Sequence, residues 1–250
     1  MTTSRVLSRF YYLPACGLSW LLFGGVGLAL NVWCSVLLLF PRREVYGPAV
    51  RRAIHRLFGT WCSWLHATKI VYANFHGFTS EALAGPAVYI SNHPGLLDAP
   101  LLLARLPDTI CIFKPALIRN PALGPAAVMG GYASGDTGVD LIRDVADRIV
   151  DGRSLLIFPE GTRTVKGATL NPFKPGFALI ASRARAPIRL IVIRAPRDLL
   201  PKGWPWWKPC NYPAIVEIEL LGDLLAGPGE GAAEIAARAE RQISIALAAS

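Results

Sequence analysis

The sequence has few charged residues and lacks the cysteine patterns of metal-binding domains. Charged residues make up 17% of its 250 residues, whereas about a quarter is usual, and this shortfall indicates contact with lipid as well as a large core. The five cysteines, at positions 16, 34, 62, 111 and 210, form no C-x-x-C pair and have no histidine at metal-ligand spacing. We therefore expect reduced thiols and no metal site.

Signatures of several enzyme classes are also missing. There is no G-x-S-x-G motif, because the nearest candidate, Ser134 in residues 131–135, has the wrong spacing, which argues against a serine hydrolase. No Walker pattern for nucleotide hydrolysis occurs. The formal net charge of +9 favours an anionic membrane surface or a phosphate-bearing substrate. Nucleic acid is not an expected partner, because the arginines are spread along the chain near apolar segments rather than gathered on one face.

The most apolar part of the chain, residues 15–40, contains no charged residue. About 20 helical residues cross a hydrocarbon core, and the run is too long for the apolar part of a signal peptide, so we expect a lipid bilayer as a partner. Gly24, Gly25 and Gly27 leave a re-entrant or interfacial hairpin as the alternative to a span. Because more arginines follow the run than precede it, we expect the cytoplasmic face of the (inner) membrane, with a single-span or monotopic attachment.

Two further segments have membrane-like composition. Residues 48–69 place apolar side chains at helical spacing opposite several arginines, which predicts either a basic amphipathic helix on the bilayer or an ordinary helix packed on the domain. Residues 201–209 combine prolines and lysines with Trp204, Trp206 and Trp207. This composition indicates an anchor at headgroup depth, with a packed connection between strands as the alternative.

The rest of the chain alternates short apolar runs with helical patterns. Strands are predicted at 87–91, 109–113, 154–158, 188–193 and 214–221, and helices at 138–151, 176–185 and 230–249. This alternation is typical of an α/β fold with a mixed, mostly parallel sheet flanked by helices. We therefore divide the chain into an N-terminal membrane-associated helical region, 1–74, and an α/β catalytic domain, 75–250.

A histidine and an aspartate occupy the turn after the first predicted strand. Pro94 suits the first turn of a helix, so His93 lies where a strand gives way to a helix, and Asp98 lies in the first helical turn. There the helix dipole favours an ionised carboxylate that accepts a hydrogen bond from one ring nitrogen of His93. The other nitrogen is then a free base, and a substrate hydroxyl would be the nucleophile. A buried histidine with satisfied hydrogen bonds is the alternative interpretation.

A second group of polar residues follows the strand at 154–158. Because ligands collect at the carboxyl ends of parallel strands, this loop and the His93 turn are expected to face one crevice. Glu160 could order the loop, and Gly161 permits close approach of the backbone. Thr162 and Arg163 could hold a phosphate through a hydroxyl and a bidentate guanidinium.

Residues 92–98, N-H-P-G-L-L-D, and 158–163, F-P-E-G-T-R, resemble motifs one and three of the glycerolipid acyltransferases of the lysophosphatidic acid acyltransferase type, over about residues 75–192. The resemblance implies transfer of an acyl group from acyl-CoA or acyl carrier protein to a lysolipid hydroxyl, with 1-acylglycerol-3-phosphate as the first candidate acceptor and no cofactor. It makes His93 the general base and Asp98 its orienter. The acceptor headgroup would bind the third motif and two basic positions: Glu160, Gly161, Thr162, Arg163, Lys114 and Lys174.

Two departures from the family pattern leave the acceptor open. The arginine that usually ends the second motif is replaced by Thr137, and the fourth motif keeps only its first proline, Pro187. An ornithine lipid, a polyene lipid or another hydroxylated amphiphile is therefore an alternative acceptor. A non-catalytic membrane-binding protein is the alternative from another class, although it would leave the His93 and Arg163 motifs without a role.

Overall fold

The computed structural model describes residues 3–40, 43–113, 120, 123–134, 138–203, 211–225, 227 and 229–249. Several predicted features lie outside the described residues. These are Lys114, the second-motif position Thr137 and the tryptophans Trp204, Trp206 and Trp207.

One seven-stranded sheet organises the chain, in the order β1-β7-β6-β2-β5-β3-β4. Neighbouring strands are parallel except for the antiparallel pair β6 and β7. The predicted mixed, mostly parallel sheet is therefore confirmed. The strands are β1 Val71–His76, β2 Val88–Ser91, β3 Thr109–Phe113, β4 Ala133–Ser134, β5 Ser154–Ile157, β6 Ile188–Arg194 and β7 Ala214–Leu224.

The helices form two groups around this sheet. In the described part of the chain, α1 to α4 pack on one another, and α5 to α7 form the second group. The central strand β2 is buried along its whole length, as expected for a strand covered on both faces. The helices are α1 Thr3–Leu37, α2 Gly47–Ala67, α3 Asp98–Leu103, α4 Gly124–Gly130, α5 Val139–Val150, α6 Gly176–Ala184 and α7 Ala232–Ala248.

Helix α1 is one continuous helix of 35 residues, about 52 Å long at 1.5 Å per residue. It runs without a break through its three central glycines, so the re-entrant hairpin is not observed. Its Phe10–Leu37 portion is long and apolar enough to cross a membrane, with a mean hydropathy of 1.7 and only 11% of the window buried.

Polar contacts fasten α1 to the domain at several points along its length. The Tyr11 hydroxyl donates to the carbonyl of Thr68 over 3.0 Å. The Trp61 indole N–H donates to the Ser19 hydroxyl over 2.9 Å. Further along, the Asn31 side-chain oxygen accepts from the N–H of Ala126 in α4 over 3.0 Å. The helix therefore lies along the domain rather than projecting from it.

Helix α2 packs on the domain with the apolar face that the sequence predicts. Val50, Ile54, Trp61 and Leu65 are buried, so this face is not available to a bilayer and the second of the two alternatives is the correct one. Strand β1 follows directly and pairs with β7. The boundary suggested between residues 74 and 75 falls inside this strand.

Candidate active site

The turn after β2 is tied to the neighbouring strand by a side-chain amide. The Asn92 amide N–H donates to the Ile193 carbonyl, and the Ile193 N–H donates to the Asn92 amide oxygen, both over 2.8 Å. Ile193 lies in β6, which pairs with β2. The position of the turn is therefore fixed relative to the sheet. This also fixes the position of the next residue, His93.

His93 and Asp98 are in contact, as the sequence predicts. The His93 Nδ1 lies 2.7 Å from the Asp98 Oδ2, and the two side chains are 19% and 3% exposed. Asp98 begins α3, and its carboxylate also accepts the N–H of Gly95 over 2.8 Å. The other ring nitrogen of His93, Nε2, has no hydrogen-bond partner within the described ranges. The ring itself stacks on Phe158, with 4.1 Å between centroids.

Burial raises the pKa of the Asp98 carboxyl, although hydrogen bonds from His93 and Gly95 and the charge of Arg163 act in the opposite direction. From the sequence, we expected only the helix dipole to affect this pKa, by favouring the ionised form. In the structure, the loss of water around the carboxylate has the larger effect. Asp98 therefore takes up a proton at a higher pH than an ordinary aspartate. In its ionised form it depends on the bonds from His93 and Gly95.

Gly95 is required at its position by close approach of another segment. A Cβ there would lie 2.7 Å from the carbonyl oxygen of Leu199, a distance that real Cβ atoms do not adopt. The neighbouring N–H of Leu96 donates to the Leu200 carbonyl over 3.2 Å. The turn that carries His93 is therefore packed tightly against residues 199–200.

Glu160 joins the His93 turn to the loop after β5. Its buried carboxylate accepts the His93 backbone N–H over 2.7 Å, the Thr164 hydroxyl over 2.9 Å and the Asn171 backbone N–H over 2.9 Å. The Thr164 N–H in turn donates to the His93 carbonyl over 2.8 Å. These contacts support the loop-ordering role inferred from the sequence, while the headgroup role of Glu160 stays a prediction. No sequence signal identified Thr164 or Asn171.

The remaining residues of the third motif surround this loop. Gly161 has a φ of 68°, and a Cβ there would lie 3.2 Å from the Lys174 Nζ, so the loop and the ammonium group are neighbours. The Arg163 Nη1 donates to the carbonyls of Leu200 and Pro201, each over 3.1 Å. Its Nε and Nη2 have no hydrogen-bond partner among the residues described. Thr162 is half-buried in the same loop.

Ser91 lies two residues before His93 and is the serine nearest to it along the chain. Its side chain is fully buried, and its hydroxyl donates to the carbonyl of Asn92 over 3.0 Å. Ser91 is therefore a structural residue, and the site brings the His93 imidazole and the Asp98 carboxylate together near the cationic side chains of Arg163 and Lys174.

Comparison with known proteins identifies the family to which this site belongs. The acyltransferase family model matches residues 72–194, which contain both the His93 and the Arg163 motifs. The chain belongs to the acyltransferase family. Its most informative motifs, in the turn after β2 and the loop after β5, thus lie within the part that defines the family.

Several curated acyltransferases are similar in sequence. A 1-acyl-sn-glycerol-3-phosphate acyltransferase of Cocos nucifera is 38% identical over 114 residues, covering 43% of this chain and 37% of that protein. A putative enzyme of the same name from Caenorhabditis elegans is 31% identical and covers 60% of this chain and 54% of that protein. The chain thus matches only about a third to a half of the length of these relatives.

Another relative aligns over nearly its whole length. The lyso-ornithine lipid O-acyltransferase of Pseudomonas aeruginosa is 29% identical over 245 residues, covering 89% of this chain and 88% of that protein. In three dimensions the chain resembles the crystal structure of the 1-acyl-sn-glycerophosphate (LPA) acyltransferase PlsC from Thermotoga maritima. That match has a TM-score of 0.68 at 20% identity and covers 94% of this chain and 96% of the other. The two proteins therefore have the same fold.

Proposed function

We propose that this protein transfers an acyl group from acyl-CoA or acyl carrier protein to the hydroxyl of a lysolipid, with 1-acylglycerol-3-phosphate as the acceptor. The observation that carries the proposal is the pair formed by His93 and Asp98. One ring nitrogen lies 2.7 Å from a buried carboxylate, and the other is left for a substrate. A carboxylate that fixes the tautomer of an imidazole in this way is the arrangement required for general-base catalysis.

The chemical steps follow from this geometry. Nδ1–H of His93 donates to Asp98, so Nε2 removes the proton from the acceptor hydroxyl as its oxygen attacks the thioester carbonyl. The carbon–sulfur bond then breaks, and the thiolate takes the proton from the imidazolium. The products are the acylated lipid and a free thiol, and His93 returns to its neutral form without a covalent acyl-enzyme.

The cationic side chains beside His93 suit an acceptor with a phosphate headgroup. The unused guanidinium edge of Arg163 provides parallel donors that match two phosphate oxygens. Lys174 is exposed and its ammonium group borders the same loop. We assign both to the headgroup, together with the predicted roles of Gly161 and Thr162.

A lyso-ornithine lipid is the second candidate acceptor. Two observations favour it: the long alignment with the Pseudomonas aeruginosa enzyme, and Thr137 at the position where the family usually has an arginine. An ornithine headgroup carries a free amino group and a carboxylate but no phosphate, so it needs less cationic contact than a phosphate monoester.

An acceptor panel distinguishes the two candidates. Purified full-length protein in detergent is incubated with acyl-CoA and each lysolipid in turn, and products are identified by mass. We expect acylation of 1-acylglycerol-3-phosphate at a rate at least tenfold above that of lyso-ornithine lipid. The reverse order would establish the second candidate. Failure of every lysolipid, with acyl carrier protein also tried as donor, would refute the proposed activity.

We further propose that α1 attaches the protein to the cytoplasmic face of the membrane as a monotopic helix. The contacts from Tyr11 to Asn31 hold about 30 Å of α1 against the domain, and a helix held in this way cannot cross a bilayer independently. Its outer face is apolar and suited to insertion among lipid headgroups and upper acyl chains. Side chains at least half exposed on this face include Phe10, Leu13, Leu21, Val26, Leu28, Val32 and Val36.

Two charges on this outer face should weaken membrane binding. We expect the double variant Leu21→Glu, Val32→Glu to lower the liposome-bound fraction at least tenfold, because each apolar side chain that leaves lipid costs about 1.5–3 kcal/mol. The matched control, Val150→Glu with Leu179→Glu, places the same charges on exposed apolar positions of α5 and α6 and should bind like the unmodified protein. Equal binding by both variants in flotation would exclude this role for α1.

A further inference from the structure

Three arginines surround a cavity of about 410 Å³ at some distance from His93. Arg51 comes from α2, Arg148 from α5, and Arg153 directly precedes β5. The same cavity is bordered by Gly131, at the left-handed end of α4, and by Val128. We call these three side chains and the cavity between them the arginine pocket.

The guanidinium groups of the arginine pocket converge on one point. A Cβ placed on Gly131 would lie 3.2 Å from the Nη1 of Arg148, 3.5 Å from that of Arg153 and 3.9 Å from that of Arg51. Three positive charges this close repel one another unless negative charge lies between or beside them. Glycine at position 131 leaves the point of convergence open.

Among the described residues, two of the three guanidinium groups have a carboxylate partner. Arg51 pairs with Asp108 and donates to the Gly130 carbonyl over 3.1 Å. Arg148 pairs with Asp144 over 2.9 Å and also donates to the carbonyl of Gly131, the residue after α4. The guanidinium group of Arg153 has no hydrogen bond or ion pair within the part of the chain that the structure describes.

The electrostatic environment of Arg153 is consistent with a guanidinium that has no partner among the described residues. Burial lowers the pKa of its guanidinium, and the charges of Arg51 and Arg148 lower it further, whereas Asp151 and Asp108 oppose the shift. The cavity is also bordered by Asp144 and Asp147. These carboxylates would repel an extended polyanion, so a small anionic group fits the arginine pocket better.

The arginine pocket lies at the amino-terminal ends of the parallel strands, and the active site lies at their carboxyl ends. Asp108, Gly131 and Arg153 come just before β3, β4 and β5, which run parallel, whereas His93 and Glu160 follow the carboxyl ends of β2 and β5. The length of strand β5, four residues, separates these two ends of the sheet by about 13 Å. The arginine pocket is therefore not part of the acceptor site.

We propose that the arginine pocket binds a phosphate group, carried either by a soluble phosphate compound or by a phospholipid headgroup. Guanidinium groups donate in parallel pairs that match phosphate oxygens, and a phosphate in the cavity beside Gly131 would be the missing partner of Arg153. Val128, which is 42% exposed, gives the rim of the cavity an apolar side chain that a lipid could contact.

Thermal unfolding of the full-length protein in detergent tests this site with inorganic phosphate as the probe. At matched ionic strength, phosphate should raise the unfolding midpoint above that in chloride by about 2–4 °C. Arg153→Gln should lose at least half of this shift, because it removes the unpaired cation without breaking an ion pair. The matched control Arg143→Gln removes an exposed arginine from α5 and should keep the shift. An equal shift in both variants, or none in the unmodified protein, overturns the proposal.

Binding to lipid vesicles separates the two sources of phosphate. If a phospholipid headgroup occupies the site, Arg153→Gln should bind phosphatidylcholine vesicles containing phosphatidate several-fold more weakly than Arg143→Gln. Vesicles of phosphatidylcholine alone should bind both variants equally. If both variants bind phosphatidate equally while only Arg153→Gln loses the phosphate shift, the ligand is a soluble phosphate compound.

Discussion

His93→Ala should lower acyl transfer by about 10²- to 10⁴-fold, the usual contribution of a positioned general base. Alanine removes the nitrogen that accepts the acceptor proton, while the Glu160 carboxylate still receives the backbone N–H of residue 93, because that bond needs no side chain. The rate of acylated product formation with acyl-CoA as donor measures the effect. The unfolding midpoint and the membrane-bound fraction should not change.

The matched control for this substitution is His76→Ala. His76 lies at the exposed end of β1, where its ring contacts Glu217 over 2.8 Å, and we expect nearly full activity. If His93→Ala retained the turnover of this control, His93 would not be the base, and the proposed mechanism would be incorrect.

Asp98→Asn should cause a loss of similar size, about 10²- to 10⁴-fold in kcat. The asparagine NH₂ can donate to the Nδ1 of His93, which would leave the proton on Nε2 and remove the free base. The KM for the acceptor should change little, because the Asp98 carboxylate is buried and only 3% exposed. Steady-state kinetics over a range of acceptor concentrations separate the two parameters.

The same variant makes a prediction about stability. Because burial raises the pKa of Asp98 above its value in the unfolded chain, its favourable contribution is present at low pH and is lost as pH rises through the folded pKa. Asparagine does not ionise, so Asp98→Asn should be at least as stable as the unmodified protein at neutral pH, with a smaller difference in acid. The control Asp140→Asn, at an exposed position of α5, should show no such pH-dependent gain. A lower midpoint for Asp98→Asn at neutral pH would show that its loss of activity reflects damage to the fold.

The sequence predicts five of the seven strands, and the buried strands β2 and β6 are among them. Strands β2 and β6 are apolar almost throughout because helices cover both faces. Strand β1 escaped prediction because Asn74 and His76 are polar and the strand lies at one end of the sheet order. Strand β4 has only two residues, too few for any periodicity to appear.

Other features depend on contacts between distant segments, which local patterns do not contain. Three glycines suggested a break in α1, yet a glycine costs a helix only about 1 kcal/mol, and the contacts of Trp20 and Phe23 with Trp61 hold the helix along the domain. Arg51 resembled a lipid-facing cation, but it is buried against Asp108, 57 positions away in the chain. Helical spacing alone could not distinguish these alternatives.

The sequence predicted which polar side chains form the candidate site, but only some of the contacts between them. The spacing of His93 and Asp98 is local, so the strand-to-helix turn was enough to bring them together. The third motif was placed near the turn by the rule for parallel strands. The contacts of Glu160 with Asn171 and of Arg163 with Leu200 depend on the paths of irregular loops, which no periodicity in the sequence describes.

If His93 activates the acceptor's own hydroxyl, the thioester should break only when an acceptor is present. The most direct measurement is thiol release from acyl-CoA by the purified protein, with and without the lysolipid that it acylates. We expect thiol release only with the lysolipid, in an amount equal to the acylated lipid formed. Equally fast release without it, with free fatty acid as the product, would contradict acyl transfer by this site.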